Sequence, residues 1–300
     1  MSFDFLTTYG AISRPSSMAT NNDITSTRPH GVAMNHSRVA LADGVALPVA
    51  SRGMPRPDRP SIVLLHGLTD SWRSFEEIAG RLPNDVHIAV PTLRGHGDAD
   101  RPLAGYRPDD LASDVAEVLD HLGVESALVA GHSLGAVIAC RLAAARADLV
   151  AGLVVVGGFA APGENAAIRE VVELSRDLVD PIDRALVAEF QHGTTVQPVS
   201  EERMDVFIAE SLLVPAHVWR AAADGLVDVD VFAGLHGATI PTSIVWGTDD
   251  PFTPLEEQEQ LAQVLGGEIR RYSGTGHAVH WEQPERFAAD VLDRWTRCIA

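Results

Sequence analysis

The chain predicts an α/β fold: a mostly parallel central sheet with helices on both faces and an inserted helical segment. Three observations carry this. Short, continuously apolar runs suited to strands buried on both faces recur along the chain, and helical periods separate them. One long stretch between two such runs has helical periods only. Length permits the plan, since 300 residues, 46% of them hydrophobic, can bury the core of one large α/β domain carrying an insert.

Taken in order, residues 38–41 and 45–49 flank Asp43-Gly44, the signal of a two-stranded hairpin. Strand runs follow at 61–65, 87–90, 127–130 and 150–156, then at 243–246 and 268–272. The last is half polar and is expected near a sheet edge. A helix is predicted over 108–122, where Leu111, Val115, Val118, Leu119 and Leu122 recur at three- and four-residue steps. Others are predicted over the nearly apolar 135–146 and over 284–298, with Phe287, Val291, Leu292 and Trp295 on one face. The stretch 160–236 carries helical segments near 165–179, 181–191, 201–213 and 215–226 and reads as a cap. The domain plan is a core made of 36–159 and 237–300, the cap over 160–236, and a tail over 1–35 whose Ser, Thr, Asn and Pro content predicts disorder.

Composition removes several function classes. Against 41 acidic residues stand 23 basic ones, a formal net charge of −18, which repels phosphate backbones and anionic lipid. Neither a nucleic acid nor a membrane surface is expected as a partner. Every basic residue is an arginine, so Schiff-base chemistry, a Walker A lysine and the S-x-x-K arrangement are all absent. Cys140 and Cys298 are too few for a disulfide framework and too distant for a thiol motif. No H-E-x-x-H, H-x-H or C-x-x-C spacing suggests a metal, and no extended G-x-G-x-x-G suggests a dinucleotide, so no cofactor is expected. The N-terminal residues lack the basic start and apolar stretch of a secretory signal, and no apolar run is long enough to span a bilayer. A cytoplasmic location is the resulting expectation.

Chemistry concentrates at Gly131-His132-Ser133-Leu134-Gly135, which follows a predicted strand and opens a predicted helix. That context separates a nucleophile elbow from a chance G-x-S-x-G. The small residues allow a sharp turn, and the helix N-terminus directs free N–H groups and a partial positive charge at the site. A nucleophilic serine needs a base, and the base an orienting acid. His277, in Gly274-Thr275-Gly276-His277, follows the last strand; Asp250, in Trp246-Gly247-Thr248-Asp249-Asp250-Pro251, follows the one before. Both therefore emerge at the sheet edge where Ser133 stands. Asp249 is the rival acid.

With these residues the chain resembles the α/β-hydrolase superfamily from about residue 38 to the C-terminus. His66-Gly67, Arg94-Gly95-His96-Gly97, the elbow and Gly276-His277 occur in the family's order. Thr92 and Ala99 depart from the Asp and Ser that commonly flank the second of these. The resemblance implies a Ser133–Asp250–His277 triad, with the acid directly before the proline, and an oxyanion hole from the backbone N–H groups of Leu68 and Leu134. Candidate pocket residues are Trp72, His132, Phe190, Leu212, Trp219 and His280, with Trp281 beside them; for the aromatics the competing expectation is plain core. His66 and His96 are expected to hold loops.

The expected activity is hydrolysis of a carboxylic ester or related acyl compound, small and partly apolar, through an acyl-enzyme on Ser133. Alternatives with the same triad are carbon–carbon bond hydrolysis, lactone opening, perhydrolysis and acyl transfer. A non-catalytic small-ligand receptor on the same scaffold is a further alternative.

Overall fold

The hairpin forms as its turn dictates. Strand β1 (Asn35–Ala40) pairs antiparallel with β2 (Ala46–Arg52) across the Asp43-Gly44 turn, where Gly44 takes φ +88°. Strand–helix alternation then begins. Strand β3 (Ser61–Leu65) leads through a 3₁₀ turn (Trp72–Phe75) into α1 (Glu76–Arg81), and β4 (Ile88–Pro91) precedes α2 (Pro108–His121). Strand β5 (Ala127–His132) precedes α3 (Leu134–Ala145), and β6 (Val150–Val156) follows. Four helices come next: α4 (Ala166–Arg176), α5 (Arg184–Gly193), α6 (Glu201–Ser211) and α7 (Ala216–Val227). The alternation resumes with β7 (Thr242–Gly247), α8 (Leu255–Leu265) and β8 (Glu268–Tyr272). It closes with the short α9 (Val279–Glu282) and α10 (Pro284–Arg297). This computed structural model describes residues 33–299 apart from 236 and 238, so the expected tail lies outside the described residues up to position 32.

The eight strands form one sheet in the order β1-β2-β4-β3-β5-β6-β7-β8, parallel except where β2 meets β1 and β4. The half-polar 268–272 run is the edge strand its composition predicts. Every residue of β3 and β5 is buried, because helices cover both faces. On one face Leu111, Val115 and Leu119 of α2 pack with Val137 and Ile138 of α3, and Phe207 and Trp219 of the inserted helices join the same core. On the other, Ile78 of α1 meets Phe287, Val291 and Trp295 of α10. Each such side chain contributes about 1.5–3 kcal/mol by leaving water.

The loop after β4 is anchored by charge. Arg94 donates through Nε and Nη2 to Asp114 of α2, both at 2.5 Å, and through Nη2 to Asp43 at 3.0 Å. Burial lifts the Asp114 pKa to about 6 although Arg94 opposes the shift. Arg94→Ala would leave that carboxyl buried and unpaired, so we expect a loss of about 3–5 kcal/mol in urea unfolding. Asp114→Asn on top of it should recover part of the loss.

Candidate active site

The turn between β5 and α3 shows why glycines flank Ser133. Ser133 sits at φ +56°, ψ −116°, a region that side chains rarely adopt and that costs about 1–3 kcal/mol. A Cβ at residue 131 would collide with the Gly135 carbonyl, and one at residue 135 with the Leu65 carbonyl. Only glycine at both places lets the chain turn this sharply between strand and helix. The Ser133 N–H donates to Val156 O at 2.9 Å, which fixes the turn to β6. The hydroxyl lines a cavity at the N-terminus of α3.

The candidate base and acid arrive from the ends of two adjacent parallel strands. His277, in the loop after β8, donates through Nδ1 to Asp250 Oδ2 at 2.8 Å; Asp250 stands in the loop after β7. The carboxyl is held on its other sides too. Oδ1 accepts the N–H groups of Phe252 (2.7 Å) and Thr253 (3.2 Å), and Oδ2 accepts the Thr253 hydroxyl (2.5 Å). With Nδ1 committed to Asp250, Nε2 is the ring nitrogen left for proton transfer. Asp249, the rival, accepts the neighbouring Thr248 hydroxyl at 3.0 Å at an exposed position and has no bond to the imidazole.

His277 and Ser133 line the same small cavity of about 30 Å³, together with Gly67, Leu68, Asp70 and His132. Among the described residues Ser133 Oγ makes no hydrogen bond, to His277 or to any other group. Such contacts are commonly loose in unliganded sites and tighten in the complex. The Leu68 and Leu134 N–H groups likewise donate to no protein acceptor among the described residues.

The pocket residues divide. His132 and Phe190 line the cavity, and so does Trp281. Trp72 does not: it lies in a separate groove by β1 with His36 and Arg38, under the Arg73 guanidinium at 4.5 Å. The 3₁₀ turn carries it to the outer side of the β3–α1 loop. Leu212 packs into the core at the C-terminal end of α6, away from the cavity. Trp219 is fully buried behind Phe190, edge-on at 5.0 Å. His280 stacks on Phe75 at 4.6 Å, bonds Ser74 Oγ at 3.0 Å, and backs His132 without reaching the cavity. His66 joins two loops, since Nδ1 bonds Gly67 O at 2.9 Å and Nε2 accepts the Leu93 N–H at 3.0 Å. His96 bonds Arg94 O at 2.9 Å within its own loop.

Sequence reasoning missed Asp70, Gln191 and Phe252, which also line the cavity. A loop aspartate and a helical glutamine carry no sequence signal of their own; only the docking of α5 on the β3 loop brings them together. Burial governs the charges here. It pushes the Asp70 pKa up to about 7, lowers His66 to about 3, and holds His132 and His280 well below the usual histidine range.

This geometry can be set beside known proteins. A family model described as the alpha/beta hydrolase fold matches residues 60–284. The 3-oxoadipate enol-lactonase 2 of Acinetobacter baylyi is 24% identical over 249 residues, covering 82% of this chain and 91% of its own length. An esterase from Exiguobacterium antarcticum superposes with a TM-score of 0.77 at 23% identity, covering 87% of this chain and 99% of the other. Esterase RhEst1 from a Rhodococcus species does so with 0.75 at 24% identity, covering 88% and 99%. At these identities the two structures speak for the fold. The family match spans the β3 loop, the strained serine turn and the loops bearing Asp250 and His277, and with it the chain belongs to the alpha/beta hydrolase family.

Proposed function

We propose that the protein is a serine hydrolase that cleaves carboxylic esters through an acyl-enzyme on Ser133. The observation that carries this is the His277–Asp250 pair at 2.8 Å, opening on the same cavity as a serine held at positive φ on a helix N-terminus. Ser133 Oγ attacks the ester carbonyl carbon while its proton passes to His277 Nε2. Asp250 holds the imidazole in the Nδ1–H tautomer and stabilises the cation that forms. The Leu68 and Leu134 N–H groups, which donate to no protein acceptor among the described residues, receive the oxyanion. Collapse breaks the bond to the alcohol oxygen, which leaves with the proton from His277. Water then attacks the acyl-enzyme by the same route, releasing the acid and restoring Ser133.

The surroundings favour a small, partly apolar substrate. An open groove of about 600 Å³ between α4 and α5, floored by Leu174 and Leu186, shares Val171, Phe190 and Phe252 with the catalytic cavity. Glu170, Glu173, Asp183 and Glu189 ring it, with Arg169 the one cation among the described residues that line it, which disfavours anionic acyl groups. The inner cavity has room for about one or two waters. An ester therefore reaches Ser133 only when the wall of Phe190 and Phe252 moves, and the inserted helices act as a lid. A lactone is an internal ester and would undergo the same steps, as the lactonase relative suggests. Among the described residues no single helix is long and apolar enough to cross a membrane.

The test is twofold: turnover of 1-naphthyl acetate with burst release of the alcohol, and mass-spectrometric mapping of a fluorophosphonate adduct. An adduct on Ser133 with ester turnover is expected. Absence of both would point to a binding protein on this scaffold.

A further inference from the structure

The cavity holds two ionisable groups that the mechanism above leaves unused, Asp70 and His132. Asp70 lies two residues beyond Leu68 on the loop after β3 and is 4% exposed. Before it, Thr69 stands at φ +71°, an outlier for a β-branched residue. Gln191 of α5 pins this loop to the inserted helices, donating through Nε2 to Asp70 Oδ1 (3.1 Å), Thr69 Oγ1 (3.2 Å) and Ser211 Oγ (2.5 Å). Ser74 Oγ donates to Asp70 Oδ2 at 3.4 Å. On its remaining side that oxygen faces His132 Nδ1 at 4.0 Å.

Proton positions follow from the partners. His132 Nε2 lies 3.2 Å from the His277 carbonyl, which only accepts, so Nε2 carries the hydrogen. In the neutral ring Nδ1 is then a bare lone pair, and it is buried without a partner. A lone pair facing an ionised carboxylate oxygen in a buried site is repulsive. A proton on Asp70 replaces that repulsion by attraction, and closing the 4.0 Å separation by about 1 Å makes the pair a hydrogen bond. The oxyanion loop lies against both groups: a Cβ on Gly67 would stand 3.0 Å from His132 Nδ1 and 3.3 Å from Asp70 Oδ2.

We infer that Asp70 is a positioning residue that works protonated, donating towards His132 Nδ1 and so holding the Gly67-Leu68 loop and the His277 main chain in register for ester hydrolysis. This rests on Ser133 being the nucleophile. When Asp70 loses its proton, its attraction to His132 turns to repulsion and an anion appears two residues from the Leu68 oxyanion donor, where it opposes the developing negative charge.

The groups around Asp70 are consistent with a retained proton. His132 faces it from β5, His277 acts on it from the loop after β8, and His280 reaches it through Ser74 from α9. Gln191 and Ser211 of the inserted helices are neutral. Among the described residues no arginine bonds it. Burial raises its pKa to about 7, against the hydrogen bonds from Gln191, Ser74 and the Gly67 backbone and the electrostatic influence of His277. Because the folded value lies above the ordinary one, the protonated, working form prevails at lower pH and is lost as pH rises through 7. The stability linked to this proton fades in the same direction.

The experiment is the kcat/KM–pH profile for 1-naphthyl acetate from pH 5 to 9, for the wild type, Asp70→Asn and Asp70→Ala, with fluorophosphonate labelling of Ser133 alongside. The wild type should fall as pH rises through about 7. Asp70→Ala should lose tenfold or more in kcat/KM. Asp70→Asn should regain most of that loss, since an amide N–H donates at every pH, and should lack the fall near neutrality. If the variants fold poorly, infrared titration of the wild type reads the proton directly: a protonated-carboxyl band should disappear near pH 7. An unchanged pH profile in Asp70→Asn, full activity in Asp70→Ala, or no such band would overturn the inference while labelled Ser133 keeps the hydrolase reading intact. Loss of labelling and turnover in the wild type would overturn both.

Discussion

Replacing Ser133 by Ala is expected to lower kcat on an ester on the order of 10⁶-fold and to abolish the burst and the fluorophosphonate adduct. The size follows from how the site is built. Among the described residues the one other hydroxyl lining the cavity, that of Thr194, is committed to Gln191 O at 2.7 Å, and Asp70 is tied to Gln191 and Ser74. Ser74, a buried hydroxyl behind the cavity, receives the Trp281 indole N–H at 3.1 Å, and Thr69 and Ser211 are bonded to each other and to Gln191. Alanine keeps the Cβ and removes one oxygen, so the fold should persist and the oxyanion amides remain. Stability should rise slightly or stay level in a thermal melt. A variant that still turns over the ester at a tenth of the wild-type rate would remove Ser133 from the mechanism.

Asp250→Asn is expected to cost about 10⁴-fold in kcat/KM with little change in the circular dichroism spectrum. The local donors decide the orientation of the new amide. Two backbone N–H groups, of Phe252 and Thr253, point at Oδ1, so the amide oxygen must stay there and its NH₂ must turn towards His277. The imidazole then accepts at Nδ1 and carries its hydrogen on Nε2, the wrong tautomer for a base. The Thr253 hydroxyl, which donates to Oδ2 in the native protein, must rotate away as well. Asp249→Asn, one residue earlier, touches none of this and should change the rate less than threefold. Equal losses in the two variants would mean that the acid has been misassigned.

How much of this is legible in the sequence depends on the range of the interaction. The serine turn is local, because its requirements are glycines two residues either side, a strand before and a helix after. The buried strands are legible for the same reason, as continuous apolar runs. Helices α1 and α8 escape notice: α1 is six residues long, and α8 spends Glu256, Glu257, Gln258, Glu259, Gln260 and Gln263 among few apolar residues. Tryptophans and histidines mislead because size and ring chemistry suit a pocket wall and a core equally well. Trp219 and His280 sit one layer behind the cavity, and Trp72 on the far side of its loop.

By itself the sequence determined the sharp serine turn, the strand–helix alternation and the helical insertion, since each is set by neighbours a few residues away. The resemblance favoured Asp250 over Asp249, and the tertiary structure supplies the physical reason, because only the Asp250 carboxylate meets the imidazole of the loop after β8. Tertiary structure alone brought Asp70, His132 and Gln191 to one wall, from β3, β5 and α5. Burial and proton sharing are properties of that assembly, and a linear pattern of residue types carries no record of them.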